Sequence, residues 1–324
     1  MNELIKRITA ARRIALISHV YPDGDAVGSL VGLTLSLRGI GKEVYPVLYD
    51  GAPPIFHFLA EASNIQKNFP DPNDLDLAIV LDANDMSRTN FAEPLHEMAK
   101  RMSLAVIDHH PRGDLLRLSA AHLHKTDASS TAELVYELIS QLDVKITPSI
   151  ATALLTGIYT DTGGFQYQNT TTWTLDVGSE LMRRGGKLKT IVQEISNHKS
   201  VASLKLLGLA LERMMITNGG RCTISVLTYD DITKVGGTHE DIVGIIGQLN
   251  VLPSSQITML LIELEPGIIK GSVRTGENFK TNVNTLAKML GGGGHPRASG
   301  FTVPGHVVQS KNGAWRIEKA VEKG

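Results

Sequence analysis

The chain has 324 residues, 42% of them apolar, and a formal net charge of −1. That length suggests two domains, and the near-neutral balance argues against a broad electrostatic footprint for long duplex nucleic acid. Cys222 is the one cysteine in the sequence, which excludes an intramolecular disulfide and a thiolate zinc site. No apolar run of about 18 residues or more and no apolar leader at the amino terminus are found, so the expectation is a cytoplasmic protein without a membrane partner.

From the amino terminus, "RIALIS" (residues 13–18) reads as a short buried strand. Val27, Leu30, Val31, Thr34 and Leu35 follow at helical spacing and predict a helix over 26–38, with Gly39 placed as its C-terminal glycine. "EVYPVL", "DLAIVL" and "SLAVID" read as further buried strands. "SSTAELVYELISQL" predicts a helix with Ser130 and Glu133 in capping-box spacing. "TPSIATALLTGIYTDTGGF" predicts another, which begins near Pro148 and ends in the glycines. Strands alternating with helices imply an α/β domain, doubly wound around a mainly parallel sheet. Past about residue 190 the texture changes. "RMMITNGGRCTISVLT" and "ITMLLIELEPGIIKGSVRT" read as hairpins about Asn218-Gly219-Gly220 and Glu265-Pro266-Gly267. A short helix near "NTLAKML", the run "GGGGHPRASG" and the strand-like "FTVP" complete a smaller α+β domain. The expected boundaries are 1–187, a linker over 188–203, and 204–324.

Four groups of acidic and imidazole residues close apolar runs of the first half, where open parallel sheets bind their ligands. His19, Asp23 and Asp25 lie in "SHVYPDGD", and Asp82 ends the run in "AIVLDAND". Asp108, His109 and His110 close "LAVIDHH", and Asp161 stands at a helix end in "GIYTDTGG". Singly, an aspartate after a strand reads as a turn residue or a helix cap; the conjunction of four argues for a shared site. Crowded carboxylates and imidazoles are costly unless neutralised, and a hard divalent cation suits such a set. Gly24 reads as allowing a tight turn between Asp23 and Asp25, and Gly28 and Ser29 as close packing of helix on sheet. In the second half, the glycine run reads as an open loop whose N–H groups cradle an anion. Arg274 in "GSVRT" reads as a fork for a terminal phosphate, and His295 and Arg297 follow the glycines, Arg297 reading equally well as a surface charge.

In order along the chain, "SHVYPDGDAVGS", "VLDAND", "IDHH" and "GIYTDTGGF" resemble the four motifs of the DHH phosphoesterase superfamily. "GSVRT" and "GGGGHPRASGF" resemble the DHHA1 domain that accompanies it. The two-domain length is most similar to the oligoribonuclease and pAp-phosphatase branch, called nanoRNase or NrnA-like. The resemblance implies an active site in the cleft between the two domains and two divalent cations, manganese before magnesium. It implies His19, Asp23 and Asp82 as ligands of one ion and Asp25, Asp82, His109 and Asp161 as ligands of the other, with Asp82 bridging. His110 would face the substrate phosphate as a catalytic group, and Asp108 would orient a neighbour. Arg274, Gly293, Gly294, His295 and Arg297 would bind the substrate. The implied reaction is hydrolysis of short RNA or DNA oligonucleotides, or of the adenine nucleotide 3′-phosphoadenosine 5′-phosphate (pAp), by metal-activated water, with a homodimer expected by analogy.

A cyclic di-AMP or pApA phosphodiesterase is the alternative within the same chemistry. A single-strand DNA exonuclease is a further alternative, disfavoured because a long strand would want a positively charged groove and stacking aromatics, and aromatic residues are 5% of this chain. A manganese pyrophosphatase carries a different C-terminal domain, so the glycine run argues against it. A non-catalytic nucleotide-binding relative would be expected to lack ligands, and here every ligand position is filled. Asp85 and Arg88, which follow Asp82, have no role assigned by the motif.

Overall fold

Four short apolar runs of the first half, with residues 121–124 beside them, form one parallel sheet in the computed structural model. They are β1 (Arg13–Ile17), β2 (Glu43–Val47), β3 (Leu77–Leu81), β4 (Leu104–Asp108) and β5 (Ala121–His124), in the order β2-β1-β3-β4-β5. The structure describes residues 1–197, 200–217, 219–276, 278–310 and 313–318, and the chain divides into two units, Met1–His198 and Lys199–Gly324.

In the first unit, alternate strand residues feed opposite cores. Ile14, Leu16, Ile79 and Ile107 face one, and Ala15, Ile17, Val80 and Val106 face the other. Strands buried on both faces lose the polar alternation of a half-exposed sheet, which is why they read as continuous apolar runs. Pro46 has no N–H for a ladder, and it lies on β2, an edge strand of the sheet next to β1. The other edge, β5, was not visible in the sequence: "AHLH" is short, and its burial alternates. The helices are α1 (Asn2–Ala10), α2 (Gly24–Gly39), α3 (Ala92–Lys100), α4 (Asp114–Leu118), α5 (Thr131–Ile139), α6 (Pro148–Asp161), α7 (Thr172–Arg183) and α8 (Leu188–Ile191). A π-helical stretch, Val192–Asn197, follows α8. Residues 188–197, inside the stretch expected to link the domains, are thus helical, and Leu188, Ile191 and Ile195 pack on the first unit's core.

Two glycine expectations are corrected. The left-handed residue after α2 is Gly41 (φ +82°), not Gly39. Gly28 serves helix-on-helix packing rather than helix on sheet. A Cβ there would sit 2.5 Å from the Ala153 carbonyl oxygen and 2.8 Å from the Gly157 nitrogen, both on α6.

The second unit is built on a mixed six-stranded sheet. Its strands are β6 (Met215–Thr217), β7 (Cys222–Leu227), β8 (Ile257–Glu265), β9 (Ile268–Thr275), β10 (Gly293–Gly294) and β11 (Ala298–Pro304), in the order β10-β11-β9-β8-β7-β6. Helices α9 (Val201–Glu212), α10 (Tyr229–Lys234) and α11 (Ile245–Leu249) pack Leu206, Ala210, Ile232 and Leu249 against Leu260 and Ile262 of β8. Helix α12 (Val283–Met289) sets Val283 against Val273 and Phe301, and β12 (His306–Gln309) pairs with β13 (Trp315–Glu318). Both expected hairpins are present, β6–β7 and β8–β9; Asn218 of the first turn lies outside the described residues. The glycine run is tighter than the open loop expected. Gly293 and Gly294 pair with Gly300 and Ser299, and the N–H groups of Gly292 and His295 donate to the carbonyls of Ala287 and Ala298, each at 2.8 Å. Among the described residues, no helix is long and apolar enough to cross a membrane.

Candidate metal centre

The order of the first sheet reverses between β1 and β3, which have their connections on opposite sides. At such a switch point the loops leaving the carboxyl ends diverge and open a crevice. His19 follows β1, Asp82 follows β3, and His109 and His110 follow β4. Helix α2 then returns Asp25 from its first turn, and α6 ends on Asp161.

Asp82 is the centre of the cluster. It is buried and left-handed at φ +58°, which few non-glycine residues adopt and aspartate tolerates best with asparagine. Its N–H still donates to the Ile107 carbonyl at 3.0 Å, so the chain bends without leaving the sheet. His19 Nε2 lies 3.5 Å from Asp82 Oδ2 and 3.9 Å from Asp23 Oδ1. His109 Nε2 lies 3.6 Å from Asp82 Oδ1, 3.4 Å from Asp161 Oδ2 and 4.0 Å from Asp25 Oδ2. His110 Nδ1 is 3.4 Å from Asp82 Oδ1 and donates to Asp108 Oδ1 at 2.9 Å. Ligand atoms within each of three overlapping groups lie within 4.8 Å of one another: His19, Asp23 and Asp82; Asp25, His109 and Asp161; Asp82, His109 and His110.

Hydrogen bonds outside the cluster orient it. His19 Nδ1 pairs with the Val20 carbonyl at 2.8 Å and His109 Nδ1 with the Ala128 carbonyl at 3.3 Å. A carbonyl oxygen only accepts, so Nδ1 carries a proton in both rings, and Nε2 is the nitrogen turned toward the carboxylates. Asp25 sits on the amino end of α5, where unpaired N–H groups favour an anion. Its oxygens accept from Thr131 N at 2.6 Å and Ala132 N at 2.9 Å. The Thr131 hydroxyl donates to Asp82 Oδ1 at 3.0 Å, so one residue holds two of the acids. Asp23 caps α2, accepting from Asp25 N and Ala26 N, each at 3.0 Å. Gly24 is not a left-handed turn residue but the first residue of α2. It lacks a Cβ because one would meet the Thr160 side chain at 2.4–2.8 Å.

The electrostatics ask for a cation. Burial, and then the charges on Asp82, Asp161 and Asp23, hold the Asp25 carboxyl well above the usual range. Burial and the charges of Asp82 and Asp23 raise Asp161 in the same way. For Asp82 burial also acts upward, but the His19 hydrogen bond and the neighbouring imidazoles outweigh it and hold it at about 2. Burial lowers His19 and His110, yet the partners Asp82 and Asp108 leave both raised. Carboxylate oxygens and imidazole nitrogens, oriented from outside, fit a divalent cation.

The structure therefore brings His19, Asp23, Asp25, Asp82, His109, His110 and Asp161 together, with Asp108 behind His110. Asp85 is a clamp: its Oδ1 accepts from Asp114 N at 3.0 Å and ties the turn after Asp82 to α4. In the second unit, Arg274 faces Ala298 across the β9–β11 pairing, Thr275 N donates to the Arg297 carbonyl at 2.9 Å, and Gly293, Gly294 and His295 form the adjoining hairpin. Sequence reasoning missed Thr131 and Asn169. Asn169 Nδ2 spans the carbonyls of Ser129 and Asp161, at 2.9 and 3.1 Å. The signal for Thr131 was its place just after the Ser130 cap, at a helix start where an anion is stabilised.

Residues 13–158 match the DHH family, N-terminal domain, and residues 223–322 match the DHHA1 domain. The chain is 34% identical over 309 residues to the bifunctional oligoribonuclease and PAP phosphatase NrnA of Thermus thermophilus, covering 94% of this chain and 87% of that one. It is 30% identical over 318 residues to the Bacillus subtilis protein of the same name, covering 93% of each. Its fold is similar to the crystal structure of an exopolyphosphatase-related protein from Bacteroides fragilis, with a TM-score of 0.84 and 26% identity over 93% of this chain and 89% of that chain. The chain belongs to the DHH/DHHA1 phosphoesterase family and is similar over nearly its whole length to NrnA-type members.

Proposed function

We propose that the chain is a divalent-metal-dependent phosphoesterase acting on short oligoribonucleotides and pAp. The observation that carries this reading is the gathering of His19, Asp23, Asp25, His109 and Asp161 around the buried Asp82, with His110 beside them. His19, Asp23 and Asp82 would hold one cation, and Asp25, Asp82, His109 and Asp161 a second. When bound, such ions neutralise phosphate oxygens and make a water molecule more acidic. Manganese and magnesium both suit this donor set.

The protein's own groups supply position and a proton. Thr131 and Ala132 hold the Asp25 carboxylate still. The Nδ1–H bonds of His19 and His109 keep both rings aimed at the acids. His110, tied through Nδ1 to Asp108, presents Nε2–H to the substrate phosphate or to the oxygen that leaves as the P–O bond breaks. Arg274, with Gly293, Gly294, His295 and Arg297 around it, would grip a phosphate of the nucleotide.

The test is product formation with Mn²⁺, without added metal and with EDTA. One panel would hold 5′-phosphorylated RNA dinucleotides to pentanucleotides, pAp, pApA, cyclic di-AMP, pyrophosphate and a long single-stranded DNA. Metal-dependent turnover of the short RNAs and pAp is expected. Turnover confined to cyclic di-AMP or pyrophosphate, or none by the folded, metal-loaded chain, overturns the reading.

A further inference from the structure

A cavity of about 500 Å³ adjoins the loop that carries His110, and Arg112, Arg117, His122, His124, Asp85 and Asp114 line it. It uses neither the metal-ligand set nor any residue of the second unit. The side chains of Arg112, Arg117 and His122 make no hydrogen bond or ion pair among the described residues. The two carboxylates are already engaged by backbone donors: Asp85 Oδ1 accepts from Asp114 N at 3.0 Å, and Asp114 Oδ1 accepts from Met86 N at 2.8 Å. Two guanidinium groups and two carboxylates thus line one cavity, and the guanidinium groups have no bonded partner among the described residues. Burial, then His124 and Arg112, hold His122 below its ordinary value. His124 Nε2 donates to the His110 carbonyl at 2.7 Å, so the cavity wall is bonded to the catalytic loop.

We propose that this cavity is a second phosphate-binding site, separate from the metal centre, whose occupancy reaches His110 through His124. Two guanidinium forks match the oxygens of a phosphate group, and the volume falls in the range of small-molecule pockets. The phosphate comes either from the next nucleotide of an oligonucleotide substrate, a source that rests on the proposed function, or from a free mononucleotide.

Binding is tested on the full chain with metal chelated, following the histidine ring signals by NMR during titration with AMP. The signals of His122 and His124 should shift saturably, and Arg112→Gln with Arg117→Gln should weaken the apparent affinity about tenfold or more. Unmoved signals, or a shift that the double variant leaves intact, overturn the proposal. Steady-state kinetics then assign the source. A KM raised for the pentanucleotide and not the dinucleotide identifies the substrate chain; unchanged KM values with a lost effect of added AMP identify the free nucleotide. The NMR arm needs no turnover, so its failure and the failure of the phosphoesterase reading are separable.

Discussion

At the scale of single residues, the cluster is held by hydrogen bonds from behind it, to the residues proposed as ligands. Thr131 is fully buried and serves two carboxylates at once. Thr131→Val removes the hydroxyl and leaves Asp82 short of a donor, which should cost roughly 1–3 kcal/mol in the metal-free fold. It should also weaken metal binding about 10- to 100-fold. Thr131→Ser, which keeps the hydroxyl, should behave as wild type, and thermal melts with a Mn²⁺ titration check both. His110 belongs to a different class. His110→Asn should lower kcat by about 10²- to 10⁴-fold while the Mn²⁺ isotherm stays in place. A lost isotherm would make His110 a ligand rather than a proton donor. The acids and histidines were legible because each breaks an apolar run; Thr131 and Asn169 were not, because a threonine at a helix start and an asparagine in a loop are ordinary until their partners are known.

At the scale of elements, two helices carry acids to one point and must approach closely to do so. A Cβ on Gly157 of α6 would lie 2.7 Å from Asp25 Oδ1 and 2.6 Å from the Ala132 Cβ. Gly157→Ala should therefore cost roughly 1–3 kcal/mol by overpacking and displace Asp25, seen as a lower Tm and weaker Mn²⁺ binding. Gly39→Ala is the control, because no atom lies within 4 Å of a Cβ there. It should leave metal binding unchanged and raise stability by up to about 1 kcal/mol. Four of the five parallel strands could be read from apolar runs: β1, β3 and β4 are buried nearly throughout, and the edge strand β2 still buries Val44, Pro46 and Val47. The strand β5 could not, because it has only four residues and two of them, His122 and His124, are polar and lie on its less buried side. The role of Gly24 was misread for a related reason. A sequence shows that a glycine is present, but the neighbour that excludes a Cβ, here Thr160, lies on a helix far along the chain.

At the scale of the whole molecule, the carboxylate cluster couples folding to pH and, under the proposed function, to metal. Asp25 and Asp161 hold their protons more tightly in the folded chain than in the unfolded one. Between the ordinary carboxylate range and those raised values the folded state binds more protons, so metal-free stability falls as pH rises. The raised His19 and His110 act in the same sense: their stabilisation is complete below the ordinary 6.5 and is lost as pH rises through their folded values. Asp82 acts oppositely, but its contribution is complete above 3.8 and is lost only as pH falls through about 2. The melting temperature of the chelated protein should therefore drop from mildly acidic to mildly alkaline pH, and Mn²⁺ should restore it by an amount that grows with pH. A profile that is flat with and without metal would contradict this. The most direct measurement of the account is a calorimetric Mn²⁺ titration of the full chain beside its Asp82→Asn variant. Two bound ions are expected in the wild type, and loss of tight binding in a variant that still folds. The same isotherm for both chains would contradict it, because no metal centre built around Asp82 could survive that exchange unchanged.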